Sequence, residues 1–153
     1  MKLYMPTKVY NEKGCVRQHS QELAELGTKA LLVTGKHSSR VNGSLQDVED
    51  ALNREQVPYV IFDGIEENPS VETVMRATAL GLSEKVDFVI GIGGGSPMDA
   101  AKIMWVMYEH PDADFQSMSM DFMDIRKRIY KFPKMGEKAM MVAIPTSSGT
   151  GSE

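Results

Sequence analysis

The chain has 153 residues, 42% hydrophobic and 25% charged, with a net charge of -4 at neutral pH. That is enough chain for one globular domain with a real core. It offers no basic field for a nucleic-acid backbone and no run of about 18 to 20 apolar residues to span a bilayer. Cys15 is the one cysteine, which excludes an internal disulfide framework and fits a reducing cytoplasm. The N-terminus, Met1-Lys2-Leu3-Tyr4-Met5-Pro6, lacks the apolar segment of a secretory signal.

Residues 1 to 13 read as an extended arm or edge hairpin, and Val16 to Leu26 as a helix. Lys29 to Thr34 (KALLVT), between Gly27 and Gly35, is a short apolar run and predicts a buried strand. Leu45, Val48, Leu52 and Val57 then recur at helical spacing, with Ser44 as the expected N-cap. Pro58 to Phe62 (PYVIF) is a second strand, closed by Asp63-Gly64. Glu67-Asn68-Pro69-Ser70 is turn chemistry leading into a helix over Val71 to Ser83, capped by Ser70.

Val86 to Ile92 (VDFVIGI) is a third strand, and a helix carrying Ala100, Ala101, Ile103, Met104 and Met107 follows its glycine run. His110 to Lys138 is a long excursion rich in Met, Asp, Lys and Arg, with a short helix expected near Met118 to Ile125. Ala139 to Ile144 (AMMVAI) is the last strand. Strands that are apolar almost throughout, alternating with helices, predict a single α/β domain: a Rossmann-like parallel sheet covered by helices on both faces. Right-handed crossovers would gather the strands' carboxyl ends on one edge, where ligands bind.

That edge should carry the chemistry. Gly91-Ile92-Gly93-Gly94-Gly95-Ser96-Pro97-Met98-Asp99 joins a strand to a helix. Consecutive glycines let the backbone reach positive φ and approach a ligand closely. Ser96 is the expected cap and Pro97 suits the first turn, so the free N–H groups there form an anion site suited to a pyrophosphate. The turn fits neither the dinucleotide fingerprint, which needs a glycine where Ser96 stands, nor the P-loop, whose Gly-Lys-Ser/Thr is missing. Asp99 reads equally well as the partner of Ser96 in a capping box or as an acceptor for a ribose or substrate hydroxyl. Lys102 reads as a solvated charge.

Gly93-Gly94-Gly95-Ser96-Pro97-Met98-Asp99-Ala100-Ala101-Lys102 resembles the G-G-G-S-x-x-D-x-A-K signature of the iron-containing (group III) alcohol dehydrogenases. Ile144-Pro145-Thr146-Ser147-Ser148-Gly149-Thr150-Gly151-Ser152-Glu153 is similar to that family's second signature, departing from it at Ser147 and Ser148. Glu67-Asn68-Pro69 and Tyr4-Met5-Pro6-Thr7 match shorter motifs. The resemblance implies a nicotinamide-dependent oxidoreductase that moves a hydride between NAD(P)(H) and an alcohol or aldehyde, as a homodimer, and the single cysteine sets it in the cytoplasm. It implies that this domain binds the dinucleotide. Iron, or sometimes zinc, would be held by one aspartate and about three histidines of an all-helical C-terminal domain. Those ligands are not expected here: His19, His37 and His110 form no H-x-x-x-H pair, and no acidic cluster stands at ligand spacing. His37 is expected near the cofactor edge, the other two on the surface.

By the same resemblance, Gly93, Gly94, Gly95, Ser96 and Asp99 line the pyrophosphate and nicotinamide ribose. Thr146, Ser147 and Thr150 reach the cofactor from the next strand's end, and Asn68 contacts the adenosine side. Some family members carry an aspartate after Val-Thr, where this chain has Gly35, then Lys36, His37, Ser38, Ser39 and Arg40. Losing the acid and gaining donors and positive charge favours NADP over NAD. The runners-up are an enzyme like glycerol dehydrogenase or dehydroquinate synthase, and a stand-alone nucleotide-binding module. The chain ends within a glycine turn that should open another helix. It therefore reads as truncated before the metal domain and inactive by itself.

Overall fold

The computed structural model describes residues 7–110 and 139–146. Its elements in chain order are α1 (Cys15–Gln18), α2 (Ser20–Ala24), β1 (Ala30–Gly35), α3 (Ser38–Val41) and α4 (Ser44–Arg54). Then come β2 (Tyr59–Ile65), α5 (Val71–Ser83), β3 (Phe88–Gly93), α6 (Gly95–Glu109) and β4 (Met140–Pro145). The strands pair in parallel in the order β2-β1-β3-β4, as the alternation of apolar strands and helices predicts. From β1 the chain steps outward to β2, then crosses back to place β3 on the other side of β1. The crossover direction therefore reverses between β1 and β3, and a crevice opens at their carboxyl ends.

Period two along each strand sends alternate side chains to opposite faces, giving three layers. On one face Ala30, Leu32, Phe88, Ile90 and Ile92 pack with Leu45, Val48 and Leu52 of α4 and Leu23 of α2. On the other, Leu31, Val33 and Val89 pack with Val74 and Ala77 of α5 and Ala100, Ala101 and Met104 of α6. At the opposite edge from the carboxyl ends, the Asp87 carboxylate accepts from Thr28 N–H (2.7 Å), Lys29 N–H (2.9 Å) and the Thr28 hydroxyl (2.8 Å). It thus ties the approach to β1 to the start of β3.

Several sequence expectations are corrected. The helix expected over residues 16–26 is two short helices, split at His19 (φ -108°, ψ 27°). The His19 ring bonds Glu12 (2.8 Å) and Glu22 (3.0 Å) and stacks on Tyr10 at 3.9 Å, while the Tyr10 hydroxyl donates to Glu22. The bond to Glu12, then that to Glu22, raises the His19 pKa above its ordinary value. Residues 7–13 contain no strand, so no hairpin forms among the described part of the arm.

Ser44 does not cap α4. Gly43 takes that place at φ +83°, and Asn42 Oδ1 accepts from Ser44 N–H. Val57 lies beyond α4: Gln56 turns left-handed (φ 59°), and Val57 N–H reaches back to the Leu52 carbonyl. The hydrophobic spacing continued because Val57 still packs into the core after the helix has stopped. Asp63-Gly64 does not close β2, which runs on to Ile65. Ser70 caps α5 as expected, accepting from Thr73 N–H at 3.2 Å. Short α3 carries no apolar periodicity and was not foreseen. The helix expected near Met118 to Ile125 lies outside the described residues.

Candidate functional site

Three glycines still punctuate the bend from β3 into α6, but the cap is not where the sequence suggests. Gly94, extended at φ -84° and ψ -159°, is the N-cap, and no side chain caps α6. Ser96 is the second helical residue, which corrects its assignment as the cap. Asp99 is then the fifth, past the first turn, so it cannot complete a capping box with Ser96. Its exposed carboxylate keeps the other reading, an acceptor for a hydroxyl.

The first-turn N–H groups of a helix have no acceptor within it, Pro97 has none to offer, and no side chain fills the gap. Gly95 and Ser96 therefore present amide donors at the positive end of a 15-residue helix, which suits an anion. Gly93 has φ +135°, and a Cβ there would lie 3.0 Å from Pro97 Cγ. Glycine is required twice over, by conformation and by space.

The end of β1 lies beside this bend. A Cβ on Gly35 would lie 3.9 Å from Pro97 Cγ and 3.6 Å from the Ile65 carbonyl. Sequence reasoning missed this packing role for Pro97; its expected role was only that of a residue needing no N–H. The buried Thr34 hydroxyl donates to Ser39 Oγ at 2.6 Å and fixes α3 onto β1. That turns Ser39 inward and leaves Lys36, His37 and Ser38 exposed at the edge.

Arg40, counted above as free positive charge, is paired: its Nη2 donates to Asp63 Oδ2 at 2.8 Å. Both side chains are about half exposed (50% and 52%), so the pair adds only about 0–1 kcal/mol to stability. Asp63 reaches this position because Val33 pairs with Phe62 but Gly35 with Ile65, so Asp63 and Gly64 together face Thr34 alone. Such a bulge re-aims side chains. An acid followed by glycine was the available signal, and it reads just as well as a turn.

Asn68 is exposed at the carboxyl end of β2, in the left-handed region (φ 51°). Its turn is held by Glu66, which accepts from Ser70 N–H (2.8 Å) and the Thr73 hydroxyl (2.7 Å). Those bonds, Ser70 N–H first, hold the Glu66 carboxyl below its ordinary range. Thr146 N–H donates to the Gly93 carbonyl at 2.9 Å, which seats Thr146 next to the glycine bend. Ser147 and Thr150 lie outside the described residues. The parallel sheet thus brings Gly35, Lys36, Ser38, Asn68, Gly93, Gly94, Gly95, Ser96, Asp99 and Thr146 to one edge.

His37 is exposed at that edge, as expected. His19 and His110 are half-buried rather than fully on the surface, and His19 is engaged by two carboxylates. Among the described residues, no three of His, Cys, Asp and Glu come together as a metal would require. These residues do not fit a metal ion. Among them, too, no helix is long and apolar enough to cross a membrane.

A family model described as "Iron-containing alcohol dehydrogenase" matches residues 6–153. The bifunctional aldehyde-alcohol dehydrogenase of Escherichia coli strain K12 is 44% identical over 149 residues, covering 97% of this chain and 17% of that protein. The NADPH-dependent butanol dehydrogenase of Clostridium saccharobutylicum is 36% identical over 154 residues, covering 100% of this chain and 37% of that one. The crystal structure of an iron-containing alcohol dehydrogenase from Thermotoga maritima superposes with a TM-score of 0.80 at 38% identity, over 99% of this chain and 39% of that one. This chain therefore spans about a sixth of the length of the first of these relatives.

Proposed function

The chain belongs to the iron-containing alcohol dehydrogenase family, and from that premise we propose that it is the part that binds the nicotinamide dinucleotide. The whole protein would transfer a hydride between NAD(P)(H) and an alcohol or aldehyde. The observation that carries this reading is the bend at Gly93 to Gly95, whose first-turn amides no side chain caps.

In this reading the amides of Gly95 and Ser96 grip the pyrophosphate, while Gly93 and Gly94 keep side chains out of its way. Asp99 accepts from the nicotinamide ribose or a substrate hydroxyl. Thr146, and beyond it Ser147 and Thr150, contact the cofactor from the end of β4. Asn68 serves the adenosine side, and Gly35, Lys36 and Ser38 border the adenosine ribose. The bound nicotinamide supplies the hydride chemistry. This chain's own residues bind and orient it, and none is assigned a catalytic role.

The resemblance implies Fe2+, or Zn2+, with ligands elsewhere in a longer protein. The missing acid at Gly35 and the donors at Lys36 and Ser38 favour NADP(H) over NAD(H). A cytoplasmic homodimer is the setting that family resemblance and the single cysteine support.

Titration with NADPH and NADH tests the reading, alongside Ser96→Ala and Asp99→Ala. Because neither residue caps α6, both variants should keep the unfolding midpoint. Asp99→Ala should weaken dinucleotide binding about tenfold, the scale of one lost charge-assisted bond. A chain that binds neither dinucleotide would overturn the reading. If Asp99→Ala lowered stability but not affinity, Asp99 would have no part in it.

A further inference from the structure

We infer that His19, as an imidazolium between Glu12 and Glu22, is a pH-sensitive clasp that fastens residues 7–13 to the break between α1 and α2 and loosens them when it loses its proton. Residues 7–13 are exposed throughout, so no buried apolar side chain holds them down. Two of the bonds there are local, Gln18 Nε2 to the Lys13 carbonyl (3.2 Å) and Cys15 N–H to the Glu12 carbonyl (3.2 Å). What reaches across is the cluster around the His19 ring. Glu12 Oε1 lies 2.8 Å from Nε2 and Glu22 Oε1 lies 3.0 Å from Nδ1. Tyr10 stacks on the ring at 3.9 Å and donates its hydroxyl to Glu22. Tyr10 and Glu12 belong to the arm, Glu22 to α2.

The proton on the ring decides whether all of these contacts hold together. Imidazolium donates from both nitrogens, one to each carboxylate. A neutral ring donates from one only, so the other carboxylate faces a lone pair and the two acids lose the charge between them. Lys8 offsets part of the Glu22 charge. Lys13, Arg17 and Glu25 are exposed and make no bond to the ring. From α4, which packs on both short helices, Arg54 donates to the Arg17 carbonyl (3.3 Å) and Glu55 accepts from the Ser20 hydroxyl (3.0 Å). Each of those two charges thus has another partner.

The bond to Glu12, then that to Glu22, raises His19 above its ordinary 6.5. A raised base contributes its stability in full below 6.5 and loses it as pH rises through the folded value. The Tyr10 hydroxyl, then His19, holds Glu22 below 4.5, so its share is complete above 4.5 and lost as pH falls through the lower folded value. The clasp is closed between these limits and opens on the alkaline side of His19.

Trypsin reads the arm at Lys8 and Lys13, each rate being divided by that of a free peptide of residues 7–18 at the same pH. Proton NMR of the full chain follows the His19 ring in parallel. From about pH 5.5 to 8.5 the normalised rate should rise at least about threefold, with its midpoint at the ring's own pKa. Glu12→Gln should pull both midpoints down together. His19→Lys stays charged over this range and should abolish the step, while His19→Gln should be cut at the fast rate throughout. Glu12 is exposed, so Glu12→Gln carries the test even where a His19 variant folds poorly. A wild-type rate that stays flat while the ring titrates overturns the inference. So does a step that persists in His19→Gln, or one that Glu12→Gln leaves in place. None of these measurements involves the dinucleotide, so their outcome is independent of the function proposed above.

Discussion

Gly93 concentrates the local physics of the site in one missing carbon. At φ +135° an L side chain is strained wherever it points, and here its Cβ would also press on Pro97. Gly93→Ala should cost about 1–3 kcal/mol and abolish dinucleotide binding, read by urea unfolding and by NADPH titration. Gly43 is the control: it has φ +83° with nothing within 4 Å of a Cβ. Gly43→Ala should cost about 1–2 kcal/mol from conformation alone and leave binding intact. The glycine run was legible in the sequence because its demand is local. The cap was not, because preference for Ser at N-cap is only statistical and Gly94 takes the extended conformation equally well. Asp63 was invisible for a different reason: its partner Arg40 is met only through space, across a bulge that no spacing rule encodes.

Among the elements, α6 on β3 is the contact that fixes the direction of the bend. A Cβ on Gly91 would lie 2.9 Å from Ala101 Cβ and 3.2 Å from Met98 Cε, so the helix rides nearly on the strand's backbone. Gly91→Ala should overpack this seam by about 1–3 kcal/mol, and adding Ala101→Gly should recover part of the loss in a double-mutant cycle. The strands were legible as unbroken apolar runs because both faces are buried, Leu31 and Val33 on one and Leu32 on the other, and the long helices by the period of their buried face. Element ends were less so. Val57 keeps the helical spacing of α4 from beyond its terminus, and four-residue α3 is held by Thr34 and Ser39 rather than by an apolar face.

For the molecule as a whole, the sheet order β2-β1-β3-β4 was not legible, because which strands neighbour each other depends on long crossovers rather than local pattern. Asp87 is the tie that joins distant segments at the far edge. Burial pushes its carboxyl up, but the N–H groups of Lys29 and Thr28 and the Thr28 hydroxyl outweigh that and leave it below its ordinary 3.8. A depressed carboxylate contributes stability above its unfolded value and loses it as pH falls through the folded one. Asp87→Asn should therefore cost about 1–3 kcal/mol near neutral pH. The gap to wild type should close on acidification below 3.8, as measured by urea unfolding across that range.

Trp105 Nε1 donates to the Ala139 carbonyl at 2.8 Å, and Ala139 N–H donates to the Glu109 carboxylate at 2.7 Å. Residue 139 is in this way stapled to the end of α6, at the edge of the sheet away from the glycine bend. The start of β4 is therefore set by the end of α6. From that fixed start β4 runs to Pro145 and delivers Thr146 beside the Gly93 carbonyl.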